Sequence, residues 1–362
     1  MIINKTVFLT SATIMGLIAT GCSIGNNEFE NKTINQHKPV PASEFDLSHW
    51  KLQVPIDLNH DNKADTIDVT EIKAYSNSDY FYLDKQKRMV FASPNKAATS
   101  KTSTNTRSEL RYMSRGKNTA IATSAPGNNF ALASHKNSTE FASIGGKMEA
   151  SLHVDHVSQN AGHPEKKSAY SVVVGQIHAL KLKEKKDGFG YGNEPLKIFY
   201  KKWPEHEKGS VFWTYERNLP TDDPKRVDIA YPVWGNGWDN TDDPNNRGIA
   251  LGEEFSYTVN VFQNTMHLIF ENAKQGEVHF EINLANNIDA NGQIDINDHP
   301  LGYANEPLYF KAGVYNQCST KISSSFRYPA CPGTGDWPLD YSNGNYAKAT
   351  FSKLKVSSAT PK

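Results

Sequence analysis

Short segments in which hydrophobic and polar residues alternate recur along most of the chain. Examples are MVFAS, GKMEASLHVDHV, PLKIFYKKW, VFWTYER, FSYTVNVFQNTMHLIFE, EVHFEINL and AKATFSKLKV. Polar, glycine-rich clusters such as KDGFGYGNE, GNGWDNTDDPNNRG and DANGQ separate them. A period of two predicts β-strands, and many short strands without long amphipathic helices predict an all-β antiparallel sandwich or barrel.

One segment, VVVGQIHALKL, is hydrophobic at both parities, which is typical of a strand buried on both faces. Gln176 and His178 interrupt it two residues apart. Side chains two apart on a strand point the same way, so the amide and the imidazole are expected side by side. Buried polar groups need partners. This pair therefore belongs either to a hydrogen-bonded core network or to the floor of a cleft.

The N-terminus has the features of an export signal. Lys5 precedes the apolar stretch VFLTSATIMGLIATGC, which is too short for a permanent membrane span. Its end, IATGC, resembles a bacterial lipobox, which predicts a lipoprotein-type signal peptide over residues 1–22 and lipidation of Cys22. We expect an exported, outer-membrane lipoprotein, or otherwise a periplasmic or secreted protein with an ordinary signal peptide. Residues 23–42 are polar and predict a tether, followed by one domain over residues 43–357.

The cysteine count and the charge balance restrict the interpretation further. If Cys22 carries lipid, Cys318 and Cys331 remain as a disulfide pair in an oxidising compartment, with two free thiols as the alternative. A loop of that length is stabilised by about 3 kcal/mol in the chain-entropy model. The 39 basic and 39 acidic residues balance, so no nucleic-acid partner is expected. A membrane is expected to be contacted only through the lipid anchor.

Two further segments place charged and aromatic side chains on one strand face. NTRSELRYM puts Arg107, Glu109 and Arg111 on the same side, where the carboxylate can orient one guanidinium and leave the other for an anion. An isolated pattern of this kind is also typical of a surface ion-pair ladder. LYFKAGVYNQ shows Tyr309, Lys311, Gly313, Tyr315 and Gln317 on one face, which favours a sugar groove over a core. Gly313 is expected to let a substrate approach the backbone. PLKIFYKKW adds Lys197 as a weaker candidate groove cation.

Together, SELR, QIH and YFKAGVYNQ, in this order, closely resemble the alginate lyases of polysaccharide lyase family 7. FDLSHWKLQVP and GIALGEEFSYTV support the resemblance, which spans nearly everything after the tether. It implies a β-jelly roll of two curved antiparallel sheets with the motifs on the concave face. It also implies an enzyme that cleaves the 1,4-linked uronate polymer alginate by β-elimination, leaving 4,5-unsaturated ends.

The resemblance and the residue chemistry assign roles to the motif residues. Fixed donors must neutralise the uronate carboxylate before the C5 proton can leave, and the O4 leaving group needs a proton. The assignments are Arg107 and Gln176 for neutralisation, His178 as general base, Tyr315 as general acid, Glu109 as an orienter of the arginines, and Arg111, Lys311, Lys197 and Gln317 for substrate binding. The resemblance also allows Tyr315 to act as both base and acid on mannuronate, whereas guluronate, whose proton lies on the opposite side of the ring, requires His178. The choice of Tyr315 over Tyr309 rests on the resemblance, and Arg107 against Arg111 as the main neutraliser stays open.

No cofactor is expected, and the protein is expected to be a monomer. The segment Asp57–Asp68 has oxygen ligands spaced much like a calcium loop, but Asn62 stands at the glycine position, so a plain polar loop is favoured. Rival functions are a non-catalytic polyuronate-binding module, a lyase for another polyuronate, and a glycoside hydrolase. The hydrolase would need two carboxylates across the bond, and the motif face offers only Glu109.

Overall fold

The computed structural model describes residues 39–321 and 327–361, and almost all of its regular structure is β. The predicted signal peptide, Cys22 and residues 23–38 of the tether lie outside the described residues. In chain order the strands are β1 (Trp50–Gln53), β2 (Thr66–Ile67), β3 (Phe81–Leu83), β4 (Met89–Pro94), β5 (Asn105–Tyr112), β6 (Phe130–Ala131), β7 (Ser143–Ile144), β8 (Gly146–His156), β9 (Ser171–Ala179), β10 (Lys181–Lys186), β11 (Phe189–Tyr191), β12 (Leu196–Lys201), β13 (Ser210–Glu216), β14 (Asp228–Trp234), β15 (Phe255–Phe262), β16 (Thr265–Asn272), β17 (Gly276–Asn283), β18 (Leu308–Ser319) and β19 (Tyr346–Ser357).

Helical segments in the described residues are short. They are the α-helix α1 (Trp337–Ser342) and 3-10 turns at Pro41–Ser43, Ile72–Ala74, Pro126–Asn128, Ser138–Glu140 and Asn245–Arg247. None of these described helices has the length and hydrophobicity needed to cross a membrane.

Two large sheets build the domain. The front sheet has the order β14-β13-β12-β9-β18-β5-β1-β2, with β6 and β7 attached beside β18. The back sheet has the order β17-β16-β15-β8-β19-β4-β3, and β10 and β11 form a separate hairpin. Except for the short β6–β7 pair, neighbouring strands are antiparallel. The prediction of an all-β jelly-roll sandwich is confirmed.

The hydrophobic core lies between the two sheets and follows from the alternation in the sequence. In β15, Phe255, Tyr257 and Val259 are buried while Ser256 and Thr258 between them are partly exposed. On the front sheet, inward-facing side chains from β9, β12, β13 and β18 join the same cluster. Removing such side chains from water supplies about 1.5–3 kcal/mol each. The charged and polar side chains of the front sheet consequently face the other way.

A bulge in β9 sets the direction in which Gln176 and His178 point. Ile198 of β12 pairs with Gly175, whereas the next residue of β12 pairs with Val173, so Val174 is an extra residue. Val174 and Gly175 both face the back sheet, where a Cβ on Gly175 would lie 2.6 Å from the Tyr257 hydroxyl. The alternation then resumes one residue out of step. Gln176 and His178 therefore face outward, although Val172 and Val174 at the same parity are core residues.

The disulfide prediction is confirmed. Cys318 and Cys331 are bonded, with their Cα atoms 5.4 Å apart, and both side chains are buried. The bond joins the end of β18 to the segment before α1, which is also paired with β18 through the Ser319–Ala330 bridge.

Candidate active site

An open cleft of about 710 Å³ lies on the outer face of the front sheet, over β9, β18, β5 and β1. The structure brings together most of the residues that the motifs pointed to. Seven of the nine predicted catalytic and substrate-binding residues line the cleft: Arg107, Glu109, Arg111, Gln176, His178, Lys311 and Tyr315.

Glu109 is the centre of the polar network on the cleft floor. Its side chain is 2% exposed and accepts hydrogen bonds from the Lys311 ammonium and the Gln176 amide. Arg107 Nη1 lies 3.1 Å from the Glu109 carboxylate. Burial by itself would raise the pKa of Glu109, but the charges of Lys311 and Arg107 outweigh it and lower the pKa. Two cations thus share one carboxylate, which leaves a net positive charge for an incoming anion.

Arg107 and Tyr315 form the second part of the site. The Arg107 guanidinium lies 4.0 Å from the centre of the Tyr315 ring, and its Nη2 donates to Ser103 Oγ at 2.8 Å. Arg107 Nε is buried without a partner among the described residues. Burial raises the pKa of Tyr315 above its usual value. Its phenol is therefore protonated at neutral pH.

Arg111 lies further along the cleft and has a different environment. Its guanidinium stacks 3.7 Å from the centre of the Tyr309 ring and donates to the Thr123 carbonyl and the Asn129 side chain, each at 3.2 Å. Lys51 on β1 is its register partner and also lines the cleft. Burial, and then repulsion from Arg111, lower the pKa of Lys51 to about 8. This end of the cleft therefore concentrates positive charge.

His178 is held on both sides of its ring. Nδ1 lies 2.6 Å from the Ala179 carbonyl oxygen, which can only accept, so Nδ1 carries a hydrogen. Nε2 lies 3.0 Å from Glu194 Oε1, and the ring stacks on Tyr309 with centroids 5.2 Å apart. Burial would raise the pKa of Glu194, but the charges of Lys197 and His178 lower it well below its usual value. Glu194 is thus an ionised partner for Nε2.

The placement of Lys197 corrects its prediction as a groove cation. Its ammonium lies 2.7 Å from Asp228, 3.3 Å from Glu194 and 3.9 Å from Glu216, and it does not line the main cleft. It is 3% exposed. Its charge is therefore already balanced by three carboxylates of the protein.

Gln317 also lies outside the main cleft. It borders a neighbouring cavity of about 340 Å³ and donates to the Tyr315 carbonyl at 3.2 Å. The expectation that Gly313 makes room for a substrate is wrong. Its φ is +134°, and a Cβ there would lie 2.7 Å from the Ser108 carbonyl oxygen, so the glycine is needed for the close approach of β5.

Sequence reasoning missed Lys51, Ser103 and Glu194 as site residues. For Lys51 a signal was present, because Trp50 and Leu52 are core residues and Lys51 between them must face the cleft. Ser103 and Glu194 lie in loops, where no periodicity predicts the direction of a side chain.

Within residues 39–321 and 327–361, no group of three or more His, Cys, Asp or Glu side chains is placed to hold a metal ion. In the Asp57–Asp68 segment, the Asp57 carboxylate accepts from the backbone amides of Asp61 at 3.0 Å and Asn62 at 2.9 Å. That this segment is a plain polar loop and not a calcium site stays a prediction.

Comparisons with known proteins agree with this arrangement. The family model described as alginate lyase matches residues 45–358. An alginate lyase from Klebsiella pneumoniae is 34% identical over 326 residues, which cover 88% of this chain and 91% of that protein. A crystal structure of the alginate lyase from Klebsiella pneumoniae aligns with a TM-score of 0.68 and 31% identity, over 90% of this chain and 100% of that one. An exolytic family 7 alginate lyase from Zobellia galactanivorans aligns with a TM-score of 0.70 and 31% identity, over 89% of this chain and 99% of that one.

Proposed function

The chain belongs to the alginate lyase family, and from this premise we propose how the residues of its cleft divide the β-elimination of alginate among them. In this reaction the C5 proton of a uronate is removed, the C4–O4 bond breaks, and a C4–C5 double bond forms. No water is added, and O4 takes up a proton. The protein must therefore supply carboxylate neutralisation, a base and an acid.

Carboxylate neutralisation falls to Arg107 and Gln176, with Lys311 beside them. The observation that carries this assignment is the shared, buried Glu109, which holds all three donors while balancing only part of their charge. Donors fixed in this way need little rearrangement when charge develops on the substrate carboxylate. Arg111 then binds a carboxylate of a neighbouring sugar, since within the described part of the chain its guanidinium donates hydrogen bonds only to neutral acceptors.

The base is His178, acting through Nε2. Nδ1 keeps its hydrogen on a main-chain carbonyl that cannot turn away, so Nε2 is the nitrogen that takes up the C5 proton. For this step the imidazole must be neutral, with no hydrogen on Nε2, and the Glu194 side chain, now 3.0 Å from Nε2, must turn aside for the substrate. Tyr315 is the acid, because burial keeps its phenol protonated. The same burial makes a tyrosinate costly, which favours His178 over Tyr315 for proton removal.

Incubation with separate mannuronate and guluronate blocks tests this proposal. Ultraviolet absorbance of the unsaturated uronate should appear with at least one block type. A non-catalytic binding module would bind the blocks and produce no absorbance. A lyase for another polyuronate would show absorbance with that polymer and none with alginate.

Export and lipidation complete the proposal. The lipobox-like IATGC supports attachment of lipid at Cys22, which would hold a monomeric enzyme on a membrane facing its extracellular substrate. Fractionation of cells that express wild type and Cys22→Ala tests this. Wild type should be found in the membrane fraction, and recovery of wild type only in soluble fractions would contradict lipidation.

A further inference from the structure

Three residues separate the active-site cleft from the neighbouring cavity of about 340 Å³. Arg226, Arg327 and Tyr328 line both spaces, so they stand between them, and we call these three residues the partition. The partition lies on the side of the cleft that faces β12, β13 and β14.

Buried ion pairs hold the partition in place. Arg226 lies 3.0 Å and Arg327 3.2 Å from the Glu216 carboxylate of β13, which is fully buried. Arg327 also pairs with Asp228 of β14, and Lys197 contacts both carboxylates from below. Glu216 and Asp228 are buried carboxylates that would lose their compensating charges if these arginines turned away. The two arginines are therefore anchored side chains and not freely moving ones.

The proposed acid lies directly beside the partition. Tyr315 and Tyr328 both line the cleft at this end. The Tyr315 ring also packs in one cluster with Phe199 and Trp238, and these two residues line the cavity behind the partition. The bond to be broken would thus lie near the closed end of the cleft.

In the other direction the cleft continues. It passes from β18 over β5 to β1, two strand spacings or about 10 Å. Arg111 and Lys51 lie along this arm, and among the described residues neither pairs with a carboxylate. This arm has the length and the charge to bind further uronates.

We propose that the protein degrades alginate from a chain end. The partition leaves space for only a short terminal segment beyond the cleaved bond, while the arm past Arg111 and Lys51 binds the rest of the chain. An internal bond could be reached only if the polymer continued in both directions, and the partition blocks one of them. This inference rests on the proposed lyase function and adds the mode of attack.

Two measurements on one digest of wild-type protein with long alginate test the proposal. Ultraviolet absorbance counts the bonds broken, and viscosity reports the remaining chain length. Chain-end attack should give many double bonds with little loss of viscosity, and short products of one size from the start. A rapid loss of viscosity with a ladder of intermediate oligomers would overturn it. Absence of any absorbance would instead contradict the lyase function itself.

Variants connect the mode of attack to the partition. Arg226→Ala combined with Arg327→Ala should increase the viscosity loss per double bond several-fold and add intermediate products. Tyr328→Ala opens the same place without leaving a buried carboxylate unpaired, so it serves if the double variant does not fold. Arg88→Ala is the matched control, since it removes an arginine whose ion pair with Asp84 at 2.7 Å lies outside both cavities. Folded partition variants with the wild-type ratio of viscosity loss to absorbance would overturn the proposed role of these residues.

Discussion

Replacing Glu109 by glutamine should destabilise the protein in a pH-dependent way. The substitution keeps the shape of the side chain and removes the only carboxylate shared by Arg107, Lys311 and Gln176. Loss of its charge-assisted hydrogen bonds should cost about 2 kcal/mol. Lys311 adds a second cost. Burial lowers the pKa of Lys311 to about 8, so without Glu109 the amine loses its proton at neutral pH.

That second cost can be worked out from the pKa. Releasing the proton at pH 7 from a group with a pKa of about 8 requires about 1.4 kcal/mol, which gives a total near 3 kcal/mol. Well above pH 8 Lys311 is already neutral in wild type, so its share disappears and about 2 kcal/mol remains. Because a cation with a lowered pKa loses its charge as the pH rises, the penalty must shrink on the alkaline side.

Urea unfolding of wild type and Glu109→Gln near pH 7 and near pH 9 measures both quantities. Glu149→Gln is the matched control, because Glu149 forms partly exposed pairs with Lys353 at 3.0 Å and Lys147 at 3.7 Å. Its replacement should cost less than about 1 kcal/mol at either pH. An equal penalty for Glu109→Gln at both pH values would refute the reasoning about Lys311, and a penalty below that of the control would refute the central role of Glu109.

Four further outcomes are expected. His178→Ala and Tyr315→Phe should each abolish most turnover while oligosaccharide binding, measured by calorimetry, persists; near-wild-type rates on every block type would remove that residue from the mechanism. KM should rise above about pH 8 as Lys311 and Lys51, both with a pKa lowered to about 8, lose the charges that attract the substrate, and a flat KM between pH 7 and 10 would contradict this. Burial raises the pKa of Glu306 to about 7, so protonated Glu306 stabilises the fold at acid pH, and about 3 kcal/mol of the free energy of unfolding is lost as the pH rises to neutrality. In Glu306→Gln the free energy of unfolding, measured in urea, should therefore depend less on pH than in wild type. Lys197→Met should lower the free energy of unfolding by about 3–5 kcal/mol. A change in KM without a loss of stability would instead show that Lys197 binds the substrate.

Much of the fold could be predicted from alternation alone. Strands such as β8, β15 and β16 have one buried and one more exposed face, and their hydrophobic and polar residues alternate accordingly. Other strands were missed: Phe189–Tyr191 lies in a glycine-rich segment predicted as a turn, and it pairs only with the neighbouring strand of its own hairpin. In such a segment local pairing decides the structure, and no hydrophobic face marks it.

In the candidate site, too, the side chains on regular strands could be predicted and those that depend on distant contacts could not. Side chains on regular strands, such as Arg107 and Lys311, were placed correctly because parity fixes their direction. For Gln176 and His178, parity showed only that they point the same way. Whether that way is outward depends on the bulge at Val174, which arises from packing against Tyr257 on the other sheet. Contacts between residues so far apart in sequence leave no periodic signal.

For Lys197, the alternation of side chains predicts the correct face of the sheet, but the predicted role in substrate binding is wrong. The residue does lie on the outer face of the front sheet, as its alternation with Leu196 and Ile198 requires. Three carboxylates from other strands and loops surround it there, and each has a task of its own: Glu194 holds His178, while Glu216 and Asp228 hold the partition. A cation that balances such a set cannot also be available to the substrate. The charge attracting alginate must therefore come from the side of the cleft where cations outnumber carboxylates, along Lys311, Arg111 and Lys51.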